Sequence, residues 1–104
     1  MGGDREKGLD LVDPSDWSED FARALAAQEG LALTGEHWEV IRLLRARFAR
    51  NGIQTTVRDM IVHFREVWGP ERGSNRYLHQ IFPRGGPQKQ GNRLAGLLRT
   101  KGEH

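Results

Sequence analysis

The feature that most constrains this sequence is the helical periodicity of apolar residues between positions 57 and 68. Val57, Met60, Ile61, Phe64 and Trp68 recur at the three- and four-residue spacing of one helix face. Gly-Pro follows directly and ends such a helix, because proline disfavours a helical residue before it. A chain whose clearest pattern has this period folds mainly into helices, so we predict the all-α class.

Four further segments carry helix signals, and together they predict a compact bundle of five helices. A Ser, Thr or Asp at a helix start accepts a backbone hydrogen bond, and proline suits the first turn. We predict helices over 14–29 and 34–50, the helix at 57–68, a short one after Ser74 and one starting at Pro87. Weak alternation over 9–12 allows a vestigial β-strand or hairpin.

Residues 1–97 form one predicted domain. The polar residues from Gly96 onward predict a frayed end, with 98–104 as a flexible tail.

Several classes of protein are excluded by the composition. The 104 residues contain no cysteine, which rules out disulfides, thiol nucleophiles and cysteine-ligated metals within them. Four scattered histidines argue against a metal site, and no phosphate loop or catalytic triad is present, so we predict neither an enzyme nor a cofactor. No apolar run approaches a membrane span, and the polar N-terminus lacks a secretory signal. The predicted location is therefore the cytoplasm, without a membrane partner.

The charges are divided unevenly along the chain. Residues 1–41 carry ten acidic and three basic groups, whereas residues 42–104 carry thirteen basic and four acidic groups. The basic side indicates an acidic protein or a nucleic acid as partner, or simply a solvated arginine-rich surface. The second and third helices, with a turn at 51–54, also resemble a helix-turn-helix pair. The nucleic-acid contacts under this alternative are Arg42, Arg45, Arg47, Arg50 and Arg58.

The sequence from position 84 onward is more distinctive than helix packing alone requires. Arg84, Gly85 and Gly86 predict a flexible hinge, and the polar residues after it suit either a short amphipathic docking helix or a mobile arm. We expect such an arm to be dispensable for folding and to bind an acidic protein surface. The predicted partner-binding residues are Arg84, Lys89, Gln90, Arg93, Arg99 and Lys101.

Over roughly residues 8–97 the sequence resembles the DsrC/TusE family of small sulfur-carrier proteins. The matching stretches are 8–17, 29–41, 52–58, 73–78, 81–83, 86–90 and 94–97, including Gly-Ser-Asn-Arg-Tyr-Leu and Gly-Pro-Gln-Lys-Gln. The resemblance implies a helical domain with a small N-terminal hairpin and a C-terminal arm. In that family a penultimate cysteine carries sulfur as a persulfide, and many members have a second cysteine earlier in the arm.

Both of those cysteine positions are substituted here, by Asn92 and Glu103. Sulfur transfer needs a thiolate, so the carrier mechanism does not transfer to this chain. We expect a regulator or adaptor of sulfur metabolism or tRNA thiolation, monomeric, that binds proteins of a sulfur-relay or sulfite-reductase system. Glu103 is either a mimic of an anionic persulfide or an ordinary surface residue. A nucleic-acid-binding regulator is the alternative, against which the acidic first helix argues.

Overall fold

The computed structural model describes residues 14–97, and these form five α-helices with no strand among them. A short 3-10 turn at Pro14–Asp16 precedes them. The helices are α1 (Glu19–Gln28), α2 (Gly35–Asn51), α3 (Val57–Trp68), α4 (Asn75–Ile81) and α5 (Gly86–Leu94). The all-α prediction with five helices is confirmed. The predicted N-terminal strand and the tail at 98–104 lie outside the described residues.

Hydroxyl side chains begin three of the helices. Ser18, Thr56 and Ser74 each accept the backbone N–H of the residue three positions later, which satisfies one free donor of a helix start. The starts predicted from Thr56 and Ser74 are confirmed. The predicted start of the first helix at position 14 is wrong, because α1 begins at Glu19 behind Ser18. The Asp-Pro signal marks the 3-10 turn instead.

Helix α5 lies at the centre of the packing. It contacts α1, α2 and α4, and α3 packs against α4. The largest fully buried side chains come from four helices and from the residue after α4. They are Phe64, Phe82, Ile41, Leu44, Met60, Leu78 and Leu94. Ile41 and Phe64 are central to this cluster, whereas Trp38 and Trp68 lie at its partly buried edge.

The mobile-arm alternative for the residues from position 84 is wrong as far as Leu97, whereas the alternative of a short amphipathic docking helix fits α5, which packs against three other helices. Six of the nine residues of α5 are buried, and so are Ala95, Gly96 and Leu97 after it. The frayed end predicted from Gly96 therefore begins no earlier than position 98. The segment read as an appendage is the helix around which the domain is packed.

Two glycines allow the close approaches that this packing needs. A Cβ atom on Gly91 of α5 would lie 3.1 Å from Cδ1 of Leu44 on α2, so the Leu44 side chain would have to shift by a few tenths of an ångström. A Cβ atom on Gly73 would lie 2.3 Å from the backbone nitrogen of Arg65 at the end of α3, an overlap that only glycine avoids. Gly91 therefore allows α5 to lie close to α2. Gly73 allows the turn between α3 and α4 to lie close to the end of α3.

Candidate functional site at the C-terminal end of the domain

Asn92, the predicted position of the upstream family cysteine, points into the protein interior. Its side chain is fully buried, and Nδ2 donates to the carbonyl of Gln88 at 2.7 Å. Within residues 14–97 its Oδ1 accepts no hydrogen bond. Its backbone carbonyl accepts the N–H of Leu97 at 2.8 Å, which closes the turn after the helix. A side chain in this place is not available to a partner while α5 remains packed.

A carboxylate directly after α1, at its C-cap, holds the polar face of α5. Glu29 accepts from Nε2 of Gln90 and from Nε of Arg93, each at 2.8 Å. The amide oxygen of Gln90 accepts the backbone N–H of Arg84 at 2.9 Å, so the buried Gln90 is paired at both ends of its amide. These bonds explain why a helix of polar composition is stable in the interior.

The structure separates the predicted partner-binding residues into three groups. Gln90 is fully buried and Arg93 is half-buried against Glu29, so both serve the packing of α5. Arg84 and Lys89 are exposed, and their binding role stays a prediction. Arg99 and Lys101, like Glu103 at the second family cysteine position, lie outside the described residues.

Three side chains hold the carbonyl groups at the end of α5, and we call them the C-terminal clamp: Trp17, Arg45 and Gln54. Trp17 Nε1 donates to the carbonyl of Leu94 at 2.7 Å, Arg45 Nη1 to that of Ala95 at 2.8 Å, and Gln54 Nε2 to that of Leu97 at 2.9 Å. The Arg45 guanidinium also stacks 4.2 Å from the centroid of the Trp17 ring. Partial burial lowers the pKa of Arg45 from its usual value. The clamp holds residues 94–97 against the rest of the described domain.

Sequence reasoning missed the clamp. Trp17 and Gln54 lie 77 and 43 positions from the carbonyls that they bind, so no local spacing relates them. Arg45 was predicted as a nucleic-acid contact, yet its guanidinium is directed at Ala95 and Trp17. The other four arginines of that set are at least partly exposed, and their role as contacts stays a prediction.

A separate polar cluster joins the N-terminal half of α2 to α4 and to the turn before it. Glu36 accepts from the hydroxyl of Tyr77 and from Arg72. The bond to Glu36 raises the pKa of Tyr77, because the carboxylate favours the protonated phenol. His37 Nδ1 accepts the N–H of Thr34 and its Nε2 donates to the carbonyl of Ile81, at 2.9 and 2.7 Å. His37 therefore has a structural role, in which it links the start of α2 to the end of α4.

Two kinds of feature are absent from residues 14–97. No group of three or more His, Asp or Glu side chains there is placed to hold a metal ion. None of the helices in that range is long and apolar enough to cross a membrane.

Comparison with known proteins identifies the family. A family model described as "DsrC like protein" matches residues 5–102. The chain is 41% identical over 87 residues to sulfurtransferase TusE of Yersinia pseudotuberculosis, a match that covers 84% of this chain and 80% of the relative. The chain belongs to the DsrC-like family. The resemblance stated from the sequence is therefore confirmed.

Solved structures agree with this assignment. The chain is 35% identical to the oxidized gamma-subunit of the dissimilatory sulfite reductase (DsrC) from Archaeoglobus fulgidus, with a TM-score of 0.75 over 84% of this chain and 79% of the other. It is 38% identical to DsrC of Allochromatium vinosum, with a TM-score of 0.72 over 82% and 75% of the two chains. The 104 residues of this member of the DsrC-like family contain no cysteine.

Proposed function

We propose that this protein is a non-carrier member of the DsrC-like family, an adaptor or regulator that binds protein partners of a sulfur-relay or sulfite-reductase system in the cytoplasm. It acts by occupying a partner rather than by transferring sulfur, and it is not itself an enzyme. The contacts come from the segment that follows the clamp at Leu97, in which Arg99 and Lys101 supply positive charge toward an acidic partner surface.

The burial of Asn92 is the observation that carries this proposal. A sulfur carrier needs a nucleophilic thiolate that a partner can reach. This position instead holds a carboxamide that is fully buried and bonded to Gln88, within a helix packed on three others. Glu103 replaces the second thiol by a carboxylate, which forms no persulfide. In this proposal the protein has the partner-binding surface of the family but lacks the thiols that its sulfur chemistry requires.

Intact mass measurement with a low-molecular-weight persulfide donor tests the loss of carrier chemistry. We expect no mass change for the wild-type chain and a gain of about 32 Da, one sulfur atom, for Glu103→Cys. Asn92→Cys is the matched control, since its thiol would be buried, and we expect it to react far more slowly than Glu103→Cys. A stable sulfur adduct on the wild-type chain would overturn the proposal.

Binding is tested with two purified probes. One is the Archaeoglobus fulgidus dissimilatory sulfite reductase freed of its gamma-subunit, and the other is the protein that binds most tightly to immobilised Yersinia pseudotuberculosis TusE. We expect the full chain to bind one of them and to compete with that probe's own relative. Deletion of residues 98–104 should weaken binding at least about tenfold, while circular dichroism shows an unchanged fold. Failure to bind either probe contradicts the proposal.

A further inference from the structure

The end of α2 carries the only Asn-Gly pair of the sequence, Asn51-Gly52. An asparagine before glycine can lose its side-chain amide without any catalyst, because a glycine nitrogen has no Cβ beside it to hinder attack on the asparagine side chain. In a folded chain the reaction also requires that the asparagine is open to water and that the glycine nitrogen can turn toward it.

The end of α2 is open to solvent. All five residues at positions 49–53 are exposed, Asn51 and Gly52 among them. A Cβ atom placed on Gly52 would have no atom within 4 Å other than those of its chain neighbours. The described part of the chain therefore leaves room for the five-membered ring that forms when the Gly52 nitrogen bonds to the Asn51 side chain.

One hydrogen bond restrains the attacking nitrogen. Gly52 has the left-handed conformation at φ 73°, and its N–H donates to the carbonyl of Phe48 at 2.7 Å. While this bond is intact, the nitrogen keeps its proton and is directed along the helix. The bond closes an exposed helix end, and such terminal bonds open at a much lower free energy than those of a packed core. Fraying of one turn, with the rest of the domain folded, therefore frees the nitrogen.

The charges along the chain near Asn51 favour an anionic intermediate. Arg50 adjoins Asn51, and Arg47 is one helical turn earlier. The nearest carboxylate in the sequence is that of Asp59 in the first turn of α3, where it follows Arg58, and both are exposed. The net charge of these four groups is positive. Positive charge stabilises the ionised glycine nitrogen and the oxyanion that its attack creates.

We propose that Asn51 is a modification site that deamidates in the folded protein at a rate set by fraying of the last turn of α2. The Gly52 nitrogen bonds to Cγ of Asn51, the bond from Cγ to the side-chain nitrogen breaks, and ammonia leaves with the proton of the Gly52 N–H. Water then adds to either carbonyl of the succinimide ring, which gives aspartate or isoaspartate. This inference does not rest on the proposed function.

The modification alters the connection between α2 and α3, residues 52–56. Both products place a carboxylate at the C-terminal end of α2, where the helix dipole disfavours negative charge. The isoaspartyl product also adds one atom to the backbone before Gln54, whose Nε2 donates to the carbonyl of Leu97 at 2.9 Å. Deamidation at Asn51 therefore weakens the end of α2 and the contribution of Gln54 to the clamp.

Peptide mapping by mass spectrometry tests the site on the full chain, incubated at physiological pH and temperature. We expect the peptide that contains Asn51 to gain the mass difference between a hydroxyl and an amino group and to separate into aspartyl and isoaspartyl forms. Asn75 is the matched control in the same molecule, since it is also exposed but precedes Arg76. It should remain largely unconverted when half of Asn51 has reacted.

A second measurement tests the restraint on the Gly52 nitrogen. The ratio of the deamidation rates in urea and in native buffer gives the protection that folding confers on Asn51. Native-state hydrogen exchange gives the protection of the Gly52 amide. We expect the two values to agree within about threefold and to lie far below the protection of the Leu44 amide, in the buried part of α2.

These measurements can each overturn the inference. No conversion of Asn51 in the folded chain, while the chain in urea converts, would overturn it, and so would equal conversion of Asn51 and Asn75. Protection of Asn51 equal to that of Leu44 would mean that only unfolding of the whole domain exposes the site. Asn51→Gln should abolish the mass gain in this peptide, and a gain that persists would contradict the assignment. The converted chain should unfold at a lower denaturant concentration than the unconverted chain, and equal midpoints would refute the effect on the clamp.

Discussion

Helix α5 and the connection between α2 and α3, residues 52–56, both lie next to Leu97, but they differ in the polarity of the residues that they bury and expose. α5 has the polar sequence GPQKQGNRL and is mostly buried, whereas the connection exposes the aliphatic Ile53. The polar groups of α5 are tolerated inside because Glu29 and backbone carbonyls bind most of them. In the connection, none of the described residues covers Ile53. The comparison teaches that the polarity of a segment alone does not say whether it is buried or exposed.

The largest expected effect comes from the interior of α5. Leu94→Ala should lower the free energy of unfolding by about 2–5 kcal/mol, because it removes a fully buried side chain from the core. Denaturant unfolding followed by circular dichroism measures this loss, with Lys89→Ala on the exposed side of the same helix as the control. A loss below about 1 kcal/mol for Leu94→Ala would mean that α5 is not part of the core.

The next effect concerns the carboxylate that binds the polar face of α5. Glu29→Ala removes the acceptor for both Gln90 and Arg93, and it should cost about 1–3 kcal/mol because a buried amide loses its partner. Glu19→Ala is the control on α1, since its pair with Arg23 is exposed and is expected to contribute less than about 1 kcal/mol. Equal losses in the two variants would refute the role given to Glu29.

A smaller effect is expected at the clamp. Gln54→Ala should cost about 0.5–1.5 kcal/mol, the net contribution of one hydrogen bond, by removing the donor to Leu97. Gln80→Ala, at an exposed glutamine of α4, should be neutral within about 0.5 kcal/mol. The same unfolding assay compares them, and a neutral Gln54→Ala would show that Leu97 is held by other contacts.

The smallest effect on stability is expected at Ile53. Ile53→Ser should change the free energy of unfolding by no more than about 0.5 kcal/mol, because the side chain is mostly exposed. Thermal unfolding checks this. A loss of more than about 1.5 kcal/mol would place Ile53 in the packing and remove the contrast with α5.

The sequence predicted those parts of the fold that local chemistry encodes. Thr56 and Ser74 begin α3 and α4 because a hydroxyl cap acts within one turn. The first helix was placed too early because two start signals, Asp13-Pro14 and Ser18, lie within six residues and periodicity does not choose between them.

The burial of α5 and the clamp were beyond sequence reasoning. The partner of Gln90 is 61 positions away and that of Trp17 is 77 positions away, so no local pattern carries either contact. The polar composition of α5 predicts a position on the surface. Its burial is explained only by the contacts with Glu29, which the sequence does not reveal. For the same reason the burial of Asn92 could not be predicted from the sequence.

Residue-by-residue amide hydrogen exchange in the native state tests most directly whether α5 is core rather than arm. We predict that Gly91, Asn92 and Arg93 exchange with the same opening free energy as Val40 and Leu44 of α2, because the two helices open only when the whole domain unfolds. Exchange of α5 at a clearly lower free energy, with α2 still protected, would show that α5 detaches on its own and would contradict this account.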